Sequence, residues 1–272
     1  MILLAGSHGY VGSAFVAELE RRGLDWVALA PYYTKMPSFE ALRSAVKSSK
    51  IELVINCAAF IPTPSVDLCK EHRAETLKGN LLFPTLLANA CDLARKPFAH
   101  IGTACLYDDK KEYSETDKPT RDFNGYCGFY LETKYLSEQI VRGYEKSYVW
   151  RIRLPFDEID HPKNYLTKLR QYPEIWDHTN SLTHRGDFAK AALDLWDLRG
   201  PFGVYNMVNP GSINAVSILF QTNRKSPAIV STGPVTGSRL SANKLMQAGV
   251  KIRPVEEAVE DALKNWRPCT KA

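Results

Sequence analysis

Met1-Ile-Leu-Leu-Ala-Gly6-Ser-His-Gly9-Tyr-Val-Gly12 opens the chain, and its reading decides the fold. Ile2–Ala5 is a short apolar run that stops at glycine, which predicts a buried strand. Tyr10–Arg22 then carries Val11, Ala14, Phe15 and Leu19 at helical spacing and closes at Gly23. Gly6 permits the tight turn between them, Gly9 lets the backbone approach a pyrophosphate, and Gly12 lets the helix pack closely. The helix N-terminus adds backbone donors and a partial positive charge. A strand, a glycine loop and a helix in this order predict a dinucleotide cofactor held by Gly6, His8, Gly9, Tyr10, Val11 and Gly12. His8 reads equally as a plain turn residue.

The same alternation continues outward. Strands are predicted at Trp26–Ala30, Glu52–Asn56, Phe98–Thr103 and Tyr148–Arg153, with helices over Ser38–Val46, about Ala74–Ala94 and Tyr126–Tyr144. Such units give a doubly wound parallel sheet of Rossmann type. After Leu154-Pro155 the pattern loosens, with short helices at Asn164–Gln171 and Asp187–Leu198 and a late strand at Val204–Val208. Helical segments near Ser241–Gln247 and Val255–Trp266 close the chain. The expected organisation is a cofactor domain over 1–153, completed by about 186–208, and a small substrate-binding lobe from 154–185 and 209–272.

Composition narrows the function. A net charge of +5 suits anionic small molecules and is too small and too scattered to argue for nucleic acid. The six cysteines contain no C-x-x-C pair, which speaks against a zinc or dithiol motif, so no metal is expected. The four-residue apolar start is too short for a signal peptide or a membrane span. These features predict a reduced, cytoplasmic protein with no membrane partner. The NAD fingerprint places an acid at the end of the second strand, but Leu29-Ala-Pro-Tyr-Tyr33 has none and Lys35 follows. That favours NADPH, with NADH as the alternative; Lys35 reads equally as a surface lysine.

Tyr130 and Lys134 stand four apart on one predicted helix face, which sets an ammonium beside a phenol. A tyrosine of pKa near 10 needs such a neighbour to donate a proton near neutrality. Thr103 ends the fourth strand and suits a hydrogen bond to a substrate oxygen. With a nicotinamide loop upstream, this set predicts carbonyl reduction. Tyr-x-x-x-Lys also arises by chance on many helices, and it is the loop and Thr103 that give it weight.

The loop, Asn56-Cys-Ala-Ala59, Thr103 and Tyr130-Leu-Glu-Thr-Lys134, in this order, resemble the extended short-chain dehydrogenase/reductase superfamily. Ser238-Arg-Leu240 with Lys244-Leu245 resembles the tail of dTDP-4-dehydrorhamnose reductases. The chain is more similar still to bifunctional nucleotide-rhamnose synthases, through Gly102-Thr-Ala-Cys105, Arg151-Ile-Arg-Leu-Pro155, His161-Pro-Lys-Asn-Tyr-Leu-Thr-Lys168 and Val204–Gly211. The resemblance implies 3,5-epimerisation and 4-keto reduction of a UDP- or dTDP-linked 4-keto-6-deoxyglucose. It implies Ala58, Tyr130 and Lys134 beside the cofactor. It implies Cys105 and Lys168 as the epimerase acid/base pair. Asn80, Arg153, Asn164, Arg185 and Arg239 are expected at the nucleotide sugar, and a homodimer is expected by analogy.

On residue type alone, Cys105 reads as a small apolar filler and Lys168 as a surface group. Cys57 and Cys127 read as packing residues. The rival functions are a reductase that receives an already epimerised sugar and a regulatory subunit that keeps the fold without catalysis.

Overall fold

The computed structural model describes residues 1–29, 36–222, 228–233 and 237–269. Lys35 and the residues before it from 30 lie outside them, as do 223–227, 234–236 and 270–272. The chain forms two compact units. The first comprises Met1–Thr103, Asp122–Trp150 and Pro201–Tyr205; the second comprises Ala104–Arg121, Arg151–Gly200 and Asn206–Ala272. The chain therefore passes from one unit to the other five times.

The first unit is built on strands β1 (Ile2–Ala5), β2 (Trp26–Leu29), β3 (Leu53–Asn56) and β4 (Phe98–Thr103), in the spatial order β2-β1-β3-β4. They are parallel, with Ile2 opposite both Trp26 and Leu53, and Val54 opposite Phe98. The sheet continues through β5 (Ser147–Ile152) and β6 (Gly203–Asn206), making six strands. β1, β3 and β4 are buried along their whole length, as unbroken apolar runs require when both faces are covered. Edge strand β2 is half exposed. The predicted doubly wound α/β sheet is what the structure shows.

Helix α1 (Gly12–Arg21) joins β1 to β2, and α2 (Phe39–Val46) joins β2 to β3. Ser38 caps α2, its hydroxyl accepting from the Ala41 amide at 3.2 Å. The long helix expected over 74–94 is three pieces: α3 (Arg73–Leu77), a π-helical turn at Lys78–Leu82, and α4 (Phe83–Leu93). α5 (Gly128–Arg142) follows β4. Leu42 and Val46 of α2 and Leu87, Ala88 and Cys91 of α4 share one core with β1, β3 and Phe98. Growing outward from β1 in both directions puts a reversal of strand order between β1 and β3, the place where such sheets bind ligands.

The second unit has no large sheet among its described residues. It is held by two- and three-residue pairings: Pro155–Phe156 with Thr183–His184, Glu112–Tyr113 with Arg239–Leu240, and Thr179–Asn180 with Ile213–Asn214. Its helices are α6 (Tyr165–Gln171), α7 (Arg185–Asp197), α8 (Ala215–Gln221), α9 (Asn243–Gln247) and α10 (Val255–Lys264). Phe156, Leu166, Leu169, Ile218, Val259 and Ala262 pack as its core. α8 had no counterpart in the sequence reading. Strand pairings of two residues leave no periodicity to read.

Candidate active site

In the first unit, the glycine loop leaves β1 exactly where the strand order reverses. Gly6 has φ +77°, and a β-carbon there would stand 2.7 Å from the Ala58 amide nitrogen. A β-carbon on Gly12 would meet the Gly6 carbonyl oxygen at 2.0 Å. No other residue fits either position without moving backbone. Gly9 donates its amide to Gly6 O at 3.0 Å, and Ser13 donates to Gly9 O at 2.9 Å, so the loop turns directly into α1. α1 has no acid in its first turn. His8 is exposed, Tyr10 and Ala58 are buried, and Val11 is half-buried. A glycine cradle at a helix N-terminus, closed by the Ala58 backbone, fits a dinucleotide pyrophosphate.

Asn56 ends β3. Its Oδ1 accepts from the Ala58 amide at 3.0 Å, so its amide nitrogen is the group facing His100 Nδ1 at 3.1 Å. Asn80 sits in the π-helical turn and clamps the loop after β3. Its Oδ1 accepts from Phe60 N at 2.7 Å, and its Nδ2 donates to Phe60 O at 3.0 Å. The extra residue of the turn gives Asn80 this aim, a use to which π-turns are often put. The structure thus places Asn80 as a clamp on the loop.

Thr103, the last residue of β4, is buried. Tyr130 and Lys134 are buried on α5, 8% and 3% exposed. The start of α5 is set sharply: Cys127 takes φ +60° with its amide on Asp67 Oδ1 at 3.0 Å. A β-carbon on the next residue, Gly128, would lie 1.7 Å from Phe123 O. Lys134 Nζ donates to Ile101 O at 2.6 Å, two residues before Thr103, and lies 3.3 Å from His100 Nε2. Burial draws the Lys134 ammonium down to about 8, with Glu138 opposing the shift. Burial, then the Lys134 charge, hold the His100 ring well below its usual range, hence neutral. His100 escaped the sequence reading, because one histidine within Phe98-Ala-His-Ile101 looks like a strand residue.

In the second unit, Ala104 donates its amide to Ile152 O at 2.9 Å, and Cys105 is partly buried. Arg153 Nη1 donates to Cys105 Sγ at 2.6 Å. Its Nε and Nη2 both donate to Asn180 Oδ1, at 3.2 and 2.7 Å. Neither contact was visible in sequence, since Asn180 is far along the chain. Cys57 is likewise partly buried, and burial pushes its thiol up.

Asn164 caps α6, accepting from Leu166 N at 2.9 Å and donating to Asp157 Oδ1 at 3.0 Å. Arg185 pairs with the same Asp157 carboxylate. Lys168, half-buried on α6, is drawn down by burial and then by the Lys163 charge. His161 is lowered by burial, then by Arg185 and Lys163, with Asp157 opposing. Lys163 and His161 are thus neighbours of the expected site residues that the sequence reading quoted only as part of a motif. Arg239 is half-buried, and its Nε is buried with no hydrogen-bond partner among the described residues. Among the described residues no cluster of metal-ligating side chains occurs, and no helix is long and apolar enough to cross a membrane.

A model of the family described as "RmlD substrate binding domain" matches residues 1–267. A bifunctional dTDP-4-dehydrorhamnose 3,5-epimerase/dTDP-4-dehydrorhamnose reductase of Arabidopsis thaliana is 24% identical over 281 residues, covering 94% of this chain and 90% of that protein. Among solved structures, the UDP-rhamnose synthase of Acanthamoeba polyphaga mimivirus superposes with a TM-score of 0.84 at 19% identity, over 97% of this chain and 98% of that one. A dTDP-4-dehydrorhamnose reductase of Bacillus anthracis in complex with NADP gives a TM-score of 0.78 at 19% identity, over 97% and 96%. At these identities the two structures establish a shared fold.

Proposed function

The chain belongs to the RmlD substrate binding domain family, and from that premise we propose that it converts a UDP- or dTDP-linked 4-keto-6-deoxyglucose to the nucleotide-linked L-rhamnose. It acts as a 3,5-epimerase and a 4-keto reductase. The observation that carries the reading is the buried Lys134 ammonium, one helical turn beyond Tyr130 and anchored on the strand that ends in Thr103. NADPH, when bound, supplies the hydride for carbon 4; the solved relative with NADP supports that cofactor.

The residues divide the work. Gly6, Gly9 and Gly12 admit the pyrophosphate against backbone. Tyr130 gives its hydroxyl proton to the carbonyl oxygen as the alcohol forms, and Thr103 orients that oxygen. Lys134, still an ammonium near neutrality at a pKa of about 8, stabilises the phenolate left behind. Before reduction, the ketone acidifies the hydrogens on carbons 3 and 5. Both lie on the same face of the D-gluco ring, so one acid/base pair serves both carbons. Cys105 and Lys168 form that pair. A lysine drawn down by burial exchanges protons more readily near neutrality than an exposed one. Arg239, with its unpartnered Nε, and Arg185 suit the anionic diphosphate of the substrate.

Incubation with UDP- or dTDP-4-keto-6-deoxyglucose and NADPH in heavy water, read by NMR, tests this. The expected product is nucleotide-rhamnose with deuterium at carbons 3 and 5. A reduced sugar of unchanged configuration without deuterium would leave a reductase only. Cys105→Ala separates the same alternatives, because a reductase-only enzyme tolerates it on its own substrate.

A further inference from the structure

Arg153 is a buried cation, 8% exposed, and its position in the chain is tightly held. Its backbone amide donates to Thr183 Oγ1 at 3.0 Å, and that hydroxyl donates to Met207 O at 2.9 Å. The residue after it, Leu154, takes φ +41°, a conformation unusual for a branched side chain. Asn180 receives two of the guanidinium nitrogens and fixes the plane of the fork; the same Oδ1 also accepts from Ser238 N at 3.1 Å. What remains of the fork is Nη1, and it is aimed at Cys105 Sγ.

A buried guanidinium needs an anionic partner, because taking an unpaired charge out of water is costly. Among the described residues Arg153 has none of the usual kind: its side-chain acceptors are the neutral amide of Asn180 and the sulfur of Cys105. Besides Cys105, the Tyr165 phenol lies close enough to feel the guanidinium's charge. Burial pushes that phenol up, with the Arg153 charge acting against it, so it stays neutral and offers no counter-charge.

We infer that Arg153 is a positioning residue that holds Cys105 as a thiolate and points its lone pairs along a fixed line. A cation against a thiol is the environment in which cysteines ionise below neutrality. The inference deepens the epimerase reading and, for its catalytic use, rests on it. The thiolate takes a proton from carbon 3 or 5 and becomes a thiol, the C–H electron pair enters the enolate of the ketone, and the Lys168 ammonium returns a proton to the opposite face. Arg153 therefore acts through Cys105, and its guanidinium is committed to protein groups at Nε, Nη1 and Nη2.

The test is the pH dependence of iodoacetamide alkylation at Cys105 in the full chain, quantified on the Cys105 peptide by mass spectrometry. Exposed Cys269 in the same digest controls for reagent reactivity. The expected midpoint for Cys105 is below about 7, against about 8.5 for a free thiol. Arg153→Met should raise it by more than about one pH unit, and Arg153→Lys by less. Asn180→Ala, which frees the fork, should raise it too, so the proposal stays testable if Arg153→Met fails to fold. Arg153→Met should also slow deuterium exchange by about a hundredfold, a general-base-sized loss, with Arg153→Lys slowing it less. A wild-type midpoint at the free-thiol value, or an Arg153→Met protein with an unchanged midpoint, overturns the proposal. A low midpoint with no exchange in wild type sustains Arg153 as the thiolate's partner and removes the epimerase reading instead.

Discussion

The groups around Lys134 and those around Cys105 are assembled by opposite means. Tyr130 and Lys134 share one face of α5, and Thr103 is simply the last residue of β4, so each stands on a regular element. Cys105, Arg153, Asn180 and Ser238 share no helix or strand, and only side-chain and backbone hydrogen bonds bring them together. A set built on regular elements is written in short spacings. A set built from distant loops depends on every link of its polar network, and a buried network of this kind is intolerant of single losses.

Tyr130→Phe should break the comparison most visibly. Reduction, followed by NADPH oxidation, should fall by roughly 10²–10⁴-fold, the usual weight of a proton donor. Deuterium exchange into the sugar should stay within a few-fold. If both vanish together, the two sets are not independent.

Gly12→Ala comes next. Its β-carbon would meet the Gly6 carbonyl at 2.0 Å, so the loop must open. The expected outcome is at least a tenfold weaker Kd for NADPH by fluorescence titration, about 1.4 kcal/mol or more. The alkylation midpoint of Cys105 should not move, because the loop belongs to the first unit.

The smallest effect is a difference in sign. Burial opposes the charge of His184 in the second unit, but its hydrogen bonds to Asp187 and Glu158 win and raise it from 6.5 to about 8. A raised folded pKa gives stability that is full below about 6.5 and lost as pH climbs through about 8, on the order of 2 kcal/mol. Lys134 is lowered from 10.5 to about 8, so its buried ammonium weakens the fold below about 8 and that penalty is relieved as pH rises toward 10.5. Urea midpoints from about pH 6 to 10 should therefore fall and then recover. His184→Gln should flatten the falling limb, and Lys134→Met the recovery. Reduction should decline above about pH 8, where the ammonium is lost.

The same contrast explains what was legible. Strands were readable from apolar runs to within a few residues: Glu52–Asn56 was expected and Leu53–Asn56 is found, Val204–Val208 was expected and Gly203–Asn206 is found. The glycine loop was readable because two close approaches, at Gly6 and Gly12, demand glycine. The π-helical turn was not, since 74–94 looks like one helix and the diversion goes with a hydrogen bond from the Phe60 amide to Asn80 Oδ1, 20 residues away. The grip of Asn180 on the Arg153 guanidinium spans 27 residues and leaves no local trace.

The five passages of the chain between the two units carry a consequence for inheritance and for gene surgery. No single break in the coding sequence yields either unit whole, so neither can be shed by truncation or lent to another gene as one cassette. The chemistries proposed for them are synthesised, diluted and degraded in a fixed one-to-one ratio, and a descendant that abandons one must do so by point substitution.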